Sequence, residues 1–282
     1  MRVQAGDVRL FFDVEGVKLA IAGPCMIERP TVLMLHGGPG IDHSSLRAVG
    51  AQLADIAQVI YLDHRGNGRS DRGPREKWTL AQWGDDVRAF CDALGIERPI
   101  ILGASFGTFV ALSYASRHPG HASKLILAGA AARFCLDRAL AIFERLGGPE
   151  AVEVARRFYA DPLPNFGDYI RVCMPHYSQK QIPGFEDALA RTVVNFDVGG
   201  HFVGGEMQSF DLRADAAKIT CPTLILSGAH DPITTAVDAD ELAAALPAEK
   251  TQLLRLPDAG HEVFAEAPAE TFQAVRSFIV KL

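Results

Sequence analysis

The sequence is poor in the features that mark secreted, disulfide-bonded and metal-binding proteins. It has five cysteines in 282 residues, an odd and widely spaced set without a CxxC pair: Cys25, Cys91, Cys135, Cys173 and Cys221. Such a set predicts free, buried thiols in a reducing compartment rather than a disulfide framework. The histidines show no ligand spacing such as HExxH, so we expect no metal and no other cofactor.

Neither the charge balance nor the apolar runs indicate a nucleic acid or a membrane as partner. The 28 basic and 34 acidic residues give a formal net charge of −6, which leaves no basic excess to hold phosphates. No apolar run approaches the roughly 20 residues needed to span a bilayer. The N-terminal stretch MRVQAGDVRLFF also lacks the continuous apolar region of a signal peptide. We therefore expect a cytoplasmic protein.

What the sequence does contain is a regular alternation of short apolar runs with longer amphipathic runs. This alternation is typical of βα units that build a parallel sheet. Buried strands are predicted at residues 31–37, 58–66, 99–105, 124–131, 221–228 and 251–257. Helical spacing predicts a helix from Leu80 to Leu94, with Thr79 as its N-cap and Gly95 as its C-cap. Further helices are predicted at residues 236–247 and 268–282.

The alternation is interrupted at two places along the chain. At the start, VRLFFDV and VKLAIA predict an antiparallel pair of strands that turns at Glu15 and Gly16. From about residue 133 to 211 the sequence is helical or irregular, with several prolines and few strand signals. We predict an α/β core formed by residues 1–132 and 212–282, with residues 133–211 inserted as a helical cap.

The stretch ILGASFGTF places Ser105 between two glycines, directly after a buried strand and directly before a helix. A sharp strand-to-helix turn forces its central residue into an unusual φ/ψ region, and side chains at positions 103 and 107 would collide with neighbouring strands. The hydroxyl is then exposed beside a helix N-terminus, where free N–H groups favour negative charge. The pattern in this setting predicts a nucleophile elbow.

A serine hydroxyl is a poor nucleophile until a base accepts its proton, so a histidine and a carboxylate are expected at later strand ends. Asp231 follows one late strand in LILSGAHDPI, and His261 follows the next in LLRLPDAGHEVF. Ser105, Asp231 and His261 stand in the chain order expected for this kind of triad. Two alternatives stay open: Asp231 caps a turn with Pro232, or Asp258 is the carboxylate that pairs with the histidine.

Acyl transfer also needs donors for the substrate oxygen that becomes negatively charged. The stretch LMLHGGPG puts two glycines after a buried strand, which lets the backbone approach a substrate closely, and Pro39 stiffens the loop. We predict that the backbone N–H groups of Gly38 and Phe106 form an oxyanion hole. The alternative for this loop is a tight turn without a catalytic role.

Together these motifs resemble the α/β-hydrolase superfamily and, within it, the proline iminopeptidase branch. The resemblance covers residues 30–130 and 211–282 and is carried by HGGPG, LDHRGNGRSD, GASFG, SGAHD and AGHE. The branch has DQRGxGxS where this chain has His64, and GGSWG where this chain has Ala104 and Phe106 around the serine. The resemblance implies a mostly parallel sheet flanked by helices, in which residues 63–70 shape the corner that supports the HGGPG loop.

Aminopeptidases of this branch are similar in using cap glutamates to hold the free amino group of the substrate, often in a segment like ENHYF. The comparable stretch here, FDVGGHFVGGE, keeps His201 and Phe202 but has no glutamate at its start. Asp197 and Glu206 are the nearest replacements, or else solvated surface acids. Candidate substrate-binding residues are therefore Phe202, Glu206 and Asp197. Cap aromatics are candidates either for an apolar acyl or prolyl pocket or for cap core: Phe158, Tyr159, Phe166, Tyr169, Phe196 and Phe202.

The sequence thus predicts a serine hydrolase that cleaves a small amide or ester of a small molecule or short peptide through an acyl-enzyme. Its resemblance is greatest to proline iminopeptidase, which releases N-terminal proline. HGGPG favours that substrate, whereas the missing cap glutamate favours a small carboxylic ester or lactone. The alternative from another class is a receptor that keeps the hydrolase fold and binds a ligand without turnover.

Overall fold

The strands of the computed structural model, which describes residues 1–281, form one large sheet and one small hairpin. Their bounds are β1 (Arg2–Ala5), β2 (Val8–Glu15), β3 (Leu19–Ala22), β4 (Cys25–Glu28), β5 (Thr31–Leu35), β6 (Gln58–Leu62), β7 (Ile100–Ala104), β8 (Lys124–Ala128), β9 (Thr223–Gly228) and β10 (Thr251–Leu256). The large sheet has eight strands in the order β1-β2-β6-β5-β7-β8-β9-β10. β2 pairs antiparallel with β1 and β6, and the pairs from β6 onward are parallel.

Helices cover both faces of this sheet. Their bounds are α1 (Arg47–Ala51), α2 (Leu80–Leu94), α3 (Phe106–Arg117), α4 (Leu136–Ala160), α5 (Pro162–Val172), α6 (Phe185–Arg191), α7 (Phe196–Val203), α8 (Arg213–Ala216), α9 (Ala236–Ala245), α10 (Val263–Glu266) and α11 (Pro268–Val280). Within residues 1–281, no helix is both long and apolar enough to cross a membrane. The predicted fold class, a mostly parallel sheet between helices, is confirmed.

The central strands are buried on both sides because helices cover both faces of the sheet, and alternate side chains enter the two layers. In β5, Leu33 and Leu35 pack into the apolar cluster that contains the buried residues of α2 and α3. Val32 and Met34 point the other way, into the cluster that contains residues of α1 and α11. The continuous apolar runs predicted as buried strands therefore have a direct structural reason.

Helix α2 confirms the predicted bounds and caps. The Thr79 side chain accepts a hydrogen bond from the Gln82 N–H at 3.2 Å, and Gly95 ends the helix with φ of 65°. A left-handed residue at this position costs glycine little because it has no Cβ. The last helix, α11, ends at Val280 rather than continuing to the end of the chain, and position 282 lies outside the described residues.

The predicted opening pair of strands is wrong. β2 turns back on β1 through Gly6, and β3 pairs with β4 through Gly23, each glycine having φ of 60°. β2 then pairs with β6, which lies much further along the chain. Gly16 is also left-handed, with φ of 76°, but it packs against the backbone of Ala54 and Ala57, and the chain there passes from β2 into the separate β3–β4 hairpin.

The segment between β8 and β9 contains α4 to α8, of which α4 is broken at Gly148 before Pro149. An isolated antiparallel bridge joins Arg133 to Asp211, and the Leu212 N–H donates to the Ala132 carbonyl at 2.7 Å. The two ends of the segment are thus adjacent. This supports the proposed division of the chain into a core and an inserted helical cap at 132/133 and 211/212.

The five thiols are free, but the prediction that all of them are buried is wrong. Cys91, Cys173 and Cys221 are buried, Cys135 is half-buried and Cys25 is exposed. Cys25 lies on β4, whose four residues are all exposed. Three of the four residues of the partner strand β3 are exposed as well, so a residue type that is usually buried stands in solvent.

Candidate active site

Ser105 stands at the turn between β7 and α3 in a conformation that few residues adopt. Its φ is 52° and its ψ −120°, and among residues 1–281 it is the one non-glycine residue with positive φ. Such a backbone conformation costs of the order of 1–3 kcal/mol and persists where the surroundings enforce it. The strained turn predicted for a nucleophile elbow is therefore present.

The glycines on either side of the serine are required by close backbone contacts. A Cβ at Gly107 would lie 2.1 Å from the Leu35 carbonyl oxygen of β5. A Cβ at Gly103 would lie 2.5 Å from the Gly107 carbonyl oxygen, so this glycine makes room for the first turn of α3 rather than for a neighbouring strand. Larger residues at either position would push the helix away from the sheet.

The serine hydroxyl is not used to cap α3. The Ser105 side chain makes no capping hydrogen bond, and its carbonyl accepts the Thr108 N–H at 2.8 Å. Its own N–H donates to the Ala128 carbonyl of β8 at 2.9 Å, which fixes the turn to the neighbouring strand. The hydroxyl is thus left available beside the N-terminus of α3.

Asp231 and His261 form a direct pair after the ends of β9 and β10. The His261 Nδ1 lies 2.7 Å from Asp231 Oδ2, and both side chains are buried. Asp231 also accepts the N–H groups of Ile233 and Thr234 at 2.8 and 3.0 Å and the Thr234 hydroxyl at 2.7 Å. An ionised carboxylate satisfies this set of donors, and Asp258 is exposed and is not the partner of His261.

The charge of Asp231 controls the protonation of His261. Burial alone lowers the pKa of a histidine, because a buried imidazolium loses its hydration. Here the nearby carboxylate outweighs burial: the charge and the hydrogen bond of Asp231 raise the pKa of His261 above its usual value. The pair therefore favours a proton on Nδ1 and a histidine that holds a second proton readily.

The end of β8 connects the serine to this pair. Gly129 follows Ala128, the residue whose carbonyl accepts the Ser105 N–H. A Cβ at Gly129 would lie 3.0 Å from the His261 Cε1 atom, so the imidazole covers this glycine. The serine turn and the histidine ring therefore lie on the same strand end, one residue apart.

The HGGPG loop lies against the serine from the other side. A Cβ at Gly37 would lie 3.3 Å from the Ser105 Cβ and 4.0 Å from its Oγ. The Gly37 carbonyl lies 2.7 Å from the His36 Nδ1, while His36 Nε2 accepts the His64 N–H at 3.2 Å. His36 therefore donates from Nδ1 to Gly37, and burial lowers its pKa, which keeps it neutral.

This contact orients the peptide group that carries the Gly38 N–H. In a trans peptide the carbonyl and the N–H point in opposite directions. With its carbonyl held by His36, the peptide between Gly37 and Gly38 presents its N–H away from that ring. The Phe106 N–H, as the first of α3, has no acceptor within the helix. The assignment of both groups to an oxyanion hole stays a proposal.

The corner at residues 63–70 supports the loop as predicted. Asn67 Oδ1 accepts the Gly40 N–H at 2.6 Å, and the Asn195 side chain of the cap donates to the Gly66 carbonyl at 2.7 Å. The Asn195 N–H in turn donates to the Gly40 carbonyl at 2.7 Å. Loop, corner and cap are thus joined by hydrogen bonds next to Ser105.

The candidate substrate-binding residues lie in three different environments. Phe202 is fully buried, with its ring 5.0 Å from that of Phe106 and 5.8 Å from that of Trp83. Glu206 accepts the Leu80 N–H at 2.8 Å, and burial raises its pKa. The Asp197 side chain is 62% exposed and lies 4.0 Å from Arg72. Both carboxylates thus have partners other than Ser105, Asp231 and His261, and a role in substrate binding stays a prediction.

The cap aromatics form a core more than a lining. Phe158, Tyr159 and Tyr169 are buried, and the rings of Phe158 and Tyr169 stack at 4.0 Å. Phe196, by contrast, is 53% exposed.

Two residues close to His261 were missed by the sequence analysis. The Tyr177 carbonyl accepts the His261 N–H at 2.6 Å, and its ring meets the imidazole edge-on at 5.3 Å. The buried Glu266 accepts the Gly260 N–H at 3.0 Å. A glutamate spaced five residues after the histidine was a weak signal, whereas nothing in the sequence links position 177 to position 261.

A strained serine between a parallel strand and a helix, together with a histidine–aspartate pair after later strands, is the arrangement of an α/β hydrolase. A family model for the α/β hydrolase fold matches residues 30–268, which is most of the chain. The chain therefore belongs to the α/β-hydrolase family.

Similar proteins have different substrates in their names. The chain is 26% identical over 273 residues to the putative carbamate hydrolase RutD of a Caulobacter species, covering 94% of this chain and 96% of that protein. It is 28% identical over 284 residues to the proline iminopeptidase PfmaB of Pestalotiopsis fici, covering 96% and 99%. The crystal structure of a proline iminopeptidase from Mycobacterium smegmatis has the same fold, with a TM-score of 0.77, 24% identity and coverage of 99% and 97%.

Proposed function

We propose that this α/β hydrolase is a serine hydrolase that cleaves a small ester or amide through an acyl-enzyme. The observation that carries the proposal is that Ser105 and His261 meet the same strand end. Ser105, which has a strained backbone and a hydroxyl free of capping bonds, donates its N–H to the Ala128 carbonyl, and the His261 ring covers the next residue, Gly129. The Asp231 contact supplies the third member of the triad.

The mechanism follows from these groups. Ser105 Oγ attacks the substrate carbonyl while His261 accepts its proton, and the N–H groups of Gly38 and Phe106 hold the oxygen that becomes negative. His261 then protonates the leaving group. Water, losing a proton to His261, then attacks the acyl-enzyme carbonyl. The bond to Ser105 Oγ breaks, His261 returns the proton to that oxygen, the acid is released, and Asp231 stabilises the imidazolium in both steps.

For the substrate class, we favour a small carboxylic ester or lactone. An aminopeptidase must bind the free ammonium group of its substrate, and a buried ammonium without a carboxylate partner is costly by several kcal/mol. Glu206 holds the N-terminus of α2, and Asp197 faces solvent beside Arg72. Both predicted replacements therefore already have other partners.

Release of N-terminal proline is the second candidate. It is favoured by the HGGPG loop, which lies against Ser105, and by the similarity to a protein named proline iminopeptidase. Proline p-nitroanilide, p-nitrophenyl acetate and homoserine lactones, assayed in parallel, separate the two candidates. Turnover of the esters alone supports the first, and preferential turnover of the anilide supports the second.

A fluorophosphonate probe tests the chemistry common to both candidates. We expect the native protein to be labelled at Ser105 and the Ser105→Ala variant to remain unlabelled. Absence of labelling in a folded native protein would instead favour a receptor that binds a ligand without turnover.

A further inference from the structure

The loop that carries His261 is joined to the cap at one short segment, Tyr177–Lys180. The His261 N–H donates to the Tyr177 carbonyl at 2.6 Å, so the backbone of the proposed base is bonded directly to the cap. A Cβ at Gly260 would lie 2.3 Å from the same carbonyl oxygen, which shows how closely the two segments approach. The position of the base therefore depends on how this segment of the cap is docked.

Glu266 bridges the two segments with both of its carboxylate oxygens. Oε1 accepts the Gly260 N–H at 3.0 Å, and Oε2 accepts the Gln179 N–H at 2.6 Å. The Glu266 carbonyl also accepts the Lys180 ammonium at 2.6 Å. The residue is 2% exposed, and a buried carboxylate is tolerated because hydrogen bonds replace its lost hydration.

The arrangement is more specific than a helix cap. Two successive N–H groups, those of Gly260 and His261, have their acceptors on Glu266 and on the cap. These bonds fix the backbone from which the imidazole projects. An error of about 1 Å in the placement of a catalytic group can cost about 100-fold in rate, so this backbone has to be held firmly.

We propose that Glu266 is a positioning residue that holds the His261 loop in register with the docked cap segment Tyr177–Lys180. The proposal rests on the proposed function, in which His261 is the base. Substrates that displace the cap segment then also displace the base, so cap docking and base placement are one event.

The charges around His261 give this role a measurable signature. Burial of the imidazole lowers its pKa, whereas the negative charges of Asp231, Glu262 and Glu266 raise it. The Lys180 ammonium is the cation on the Glu266 side. Loss of the charge at position 266 therefore lowers the pKa of His261, and displacement of the imidazole from Asp231 lowers it further.

The test uses Glu266→Gln, with Glu270→Gln as the matched control, because Glu270 is an exposed carboxylate on the next helix. We expect Glu266→Gln to lower kcat/KM for p-nitrophenyl acetate by about 10- to 100-fold, mostly through kcat. The acid limb of its pH profile moves to lower pH, as the attraction of one nearby charge is lost. The control keeps the native profile.

Hydrogen exchange supplies a readout that is independent of activity. In Glu266→Gln the backbone N–H groups of residues 177–180 and 260–261 exchange faster, while the strands of the sheet keep native protection. Lys180→Met, which removes the cap-side bond to the Glu266 carbonyl, raises exchange at residues 177–180 in the same way. If Glu266→Gln does not fold, Glu266→Asp serves as the test with the same exchange readout, because it keeps the charge but shortens the reach between the Gly260 and Gln179 N–H groups.

The outcomes separate the two proposals. If the native protein is not labelled by a fluorophosphonate, the proposed function fails, and exchange alone decides whether Glu266 joins the two segments. If the native protein is active but the glutamine variant keeps its acid limb and its exchange pattern, Glu266 does not position His261, whatever its effect on rate.

Discussion

The helical cap and the strand ends of the core are stabilised by different interactions. Around Ser105, backbone geometry and hydrogen bonds leave little room: a Cβ at Gly107 has no space, and Asp231 accepts four donors. In the cap, aromatic packing dominates, with the stacked rings of Phe158 and Tyr169 and the hydroxyl of Tyr169 bonded to those of Tyr159 and Tyr177 at 3.0 and 2.8 Å.

This difference indicates a division of labour. Hydrogen bonds with fixed geometry suit groups that must be placed accurately for chemistry. Aromatic side chains supply apolar packing, and such positions accept other apolar side chains of similar volume. Substitutions in a cap of this type can therefore alter which substrate the enzyme prefers without altering the reaction. Variants in each region test whether the two separate in this way.

The largest effect is expected for Ser105→Ala. Removal of the nucleophile lowers kcat for p-nitrophenyl acetate by about 10⁴- to 10⁶-fold, because no other group forms the acyl-enzyme. Steady-state kinetics measures the loss, and circular dichroism verifies the fold. A variant that keeps more than about one hundredth of the native rate contradicts the assignment of the nucleophile.

Asp231→Asn should have the next largest effect. The amide no longer stabilises the imidazolium and favours the wrong tautomer of His261, so kcat falls by about 10⁴-fold while KM changes little. Asp258→Asn is the matched control, since Asp258 is exposed and lies near the same histidine in the chain. Equal losses in the two variants would contradict the assignment of Asp231 as the catalytic carboxylate.

Phe202→Ala tests how strongly the cap packs on the core. Phe202 is fully buried between the rings of Phe106 and Trp83, so its truncation should lower the free energy of unfolding by about 3–5 kcal/mol. Urea unfolding measures the change. The exposed Phe196 supplies the control, for which Phe196→Ala is expected to cost less than about 1 kcal/mol. Similar costs for the two would mean that the cap does not pack on the core through Phe202.

The pH dependence of kcat/KM should show a smaller, graded effect. Because Asp231 raises the pKa of His261, the imidazolium persists to higher pH, and activity rises as it loses its proton. The midpoint is therefore expected above about 6.5, the ordinary histidine value. Rates measured between about pH 5 and 10 locate it. A flat profile, or a midpoint below the ordinary value, is incompatible with His261 as the base.

The smallest effect is expected for Asp197→Asn. The side chain is 62% exposed beside Arg72, so its charge should change kcat/KM by less than about twofold for ester and prolyl substrates alike. A selective loss of about tenfold or more for proline p-nitroanilide would place this carboxylate at the substrate ammonium and would favour the aminopeptidase candidate.

Local signals carried much of the correct prediction. Thr79 and Gly95 mark the two ends of α2, because a side-chain cap and a left-handed glycine act over one helical turn. Ser105 and its flanking glycines likewise form their turn from neighbouring residues. The pair of Asp231 and His261 was predictable because parallel strands bring their carboxyl ends to one edge of the sheet.

Contacts between distant segments were not predictable in the same way. β2 pairs with β6, which lies far along the chain, rather than with the next strand, β3, which pairs with β4. Glu206 binds the N-terminus of α2, which is 126 residues away. An acidic side chain has the same appearance in a sequence whether it caps a helix, binds an ammonium group or faces solvent.

By itself, then, the sequence determined the βα alternation, the serine turn and the order of the proposed triad, because each depends on short-range sterics or on strand direction. Only the tertiary structure decided that Tyr177 and Glu266 join the cap to the His261 loop. The physical reason is that a backbone carbonyl or a buried carboxylate acquires its partner through chain packing, and residue type alone does not encode that partner.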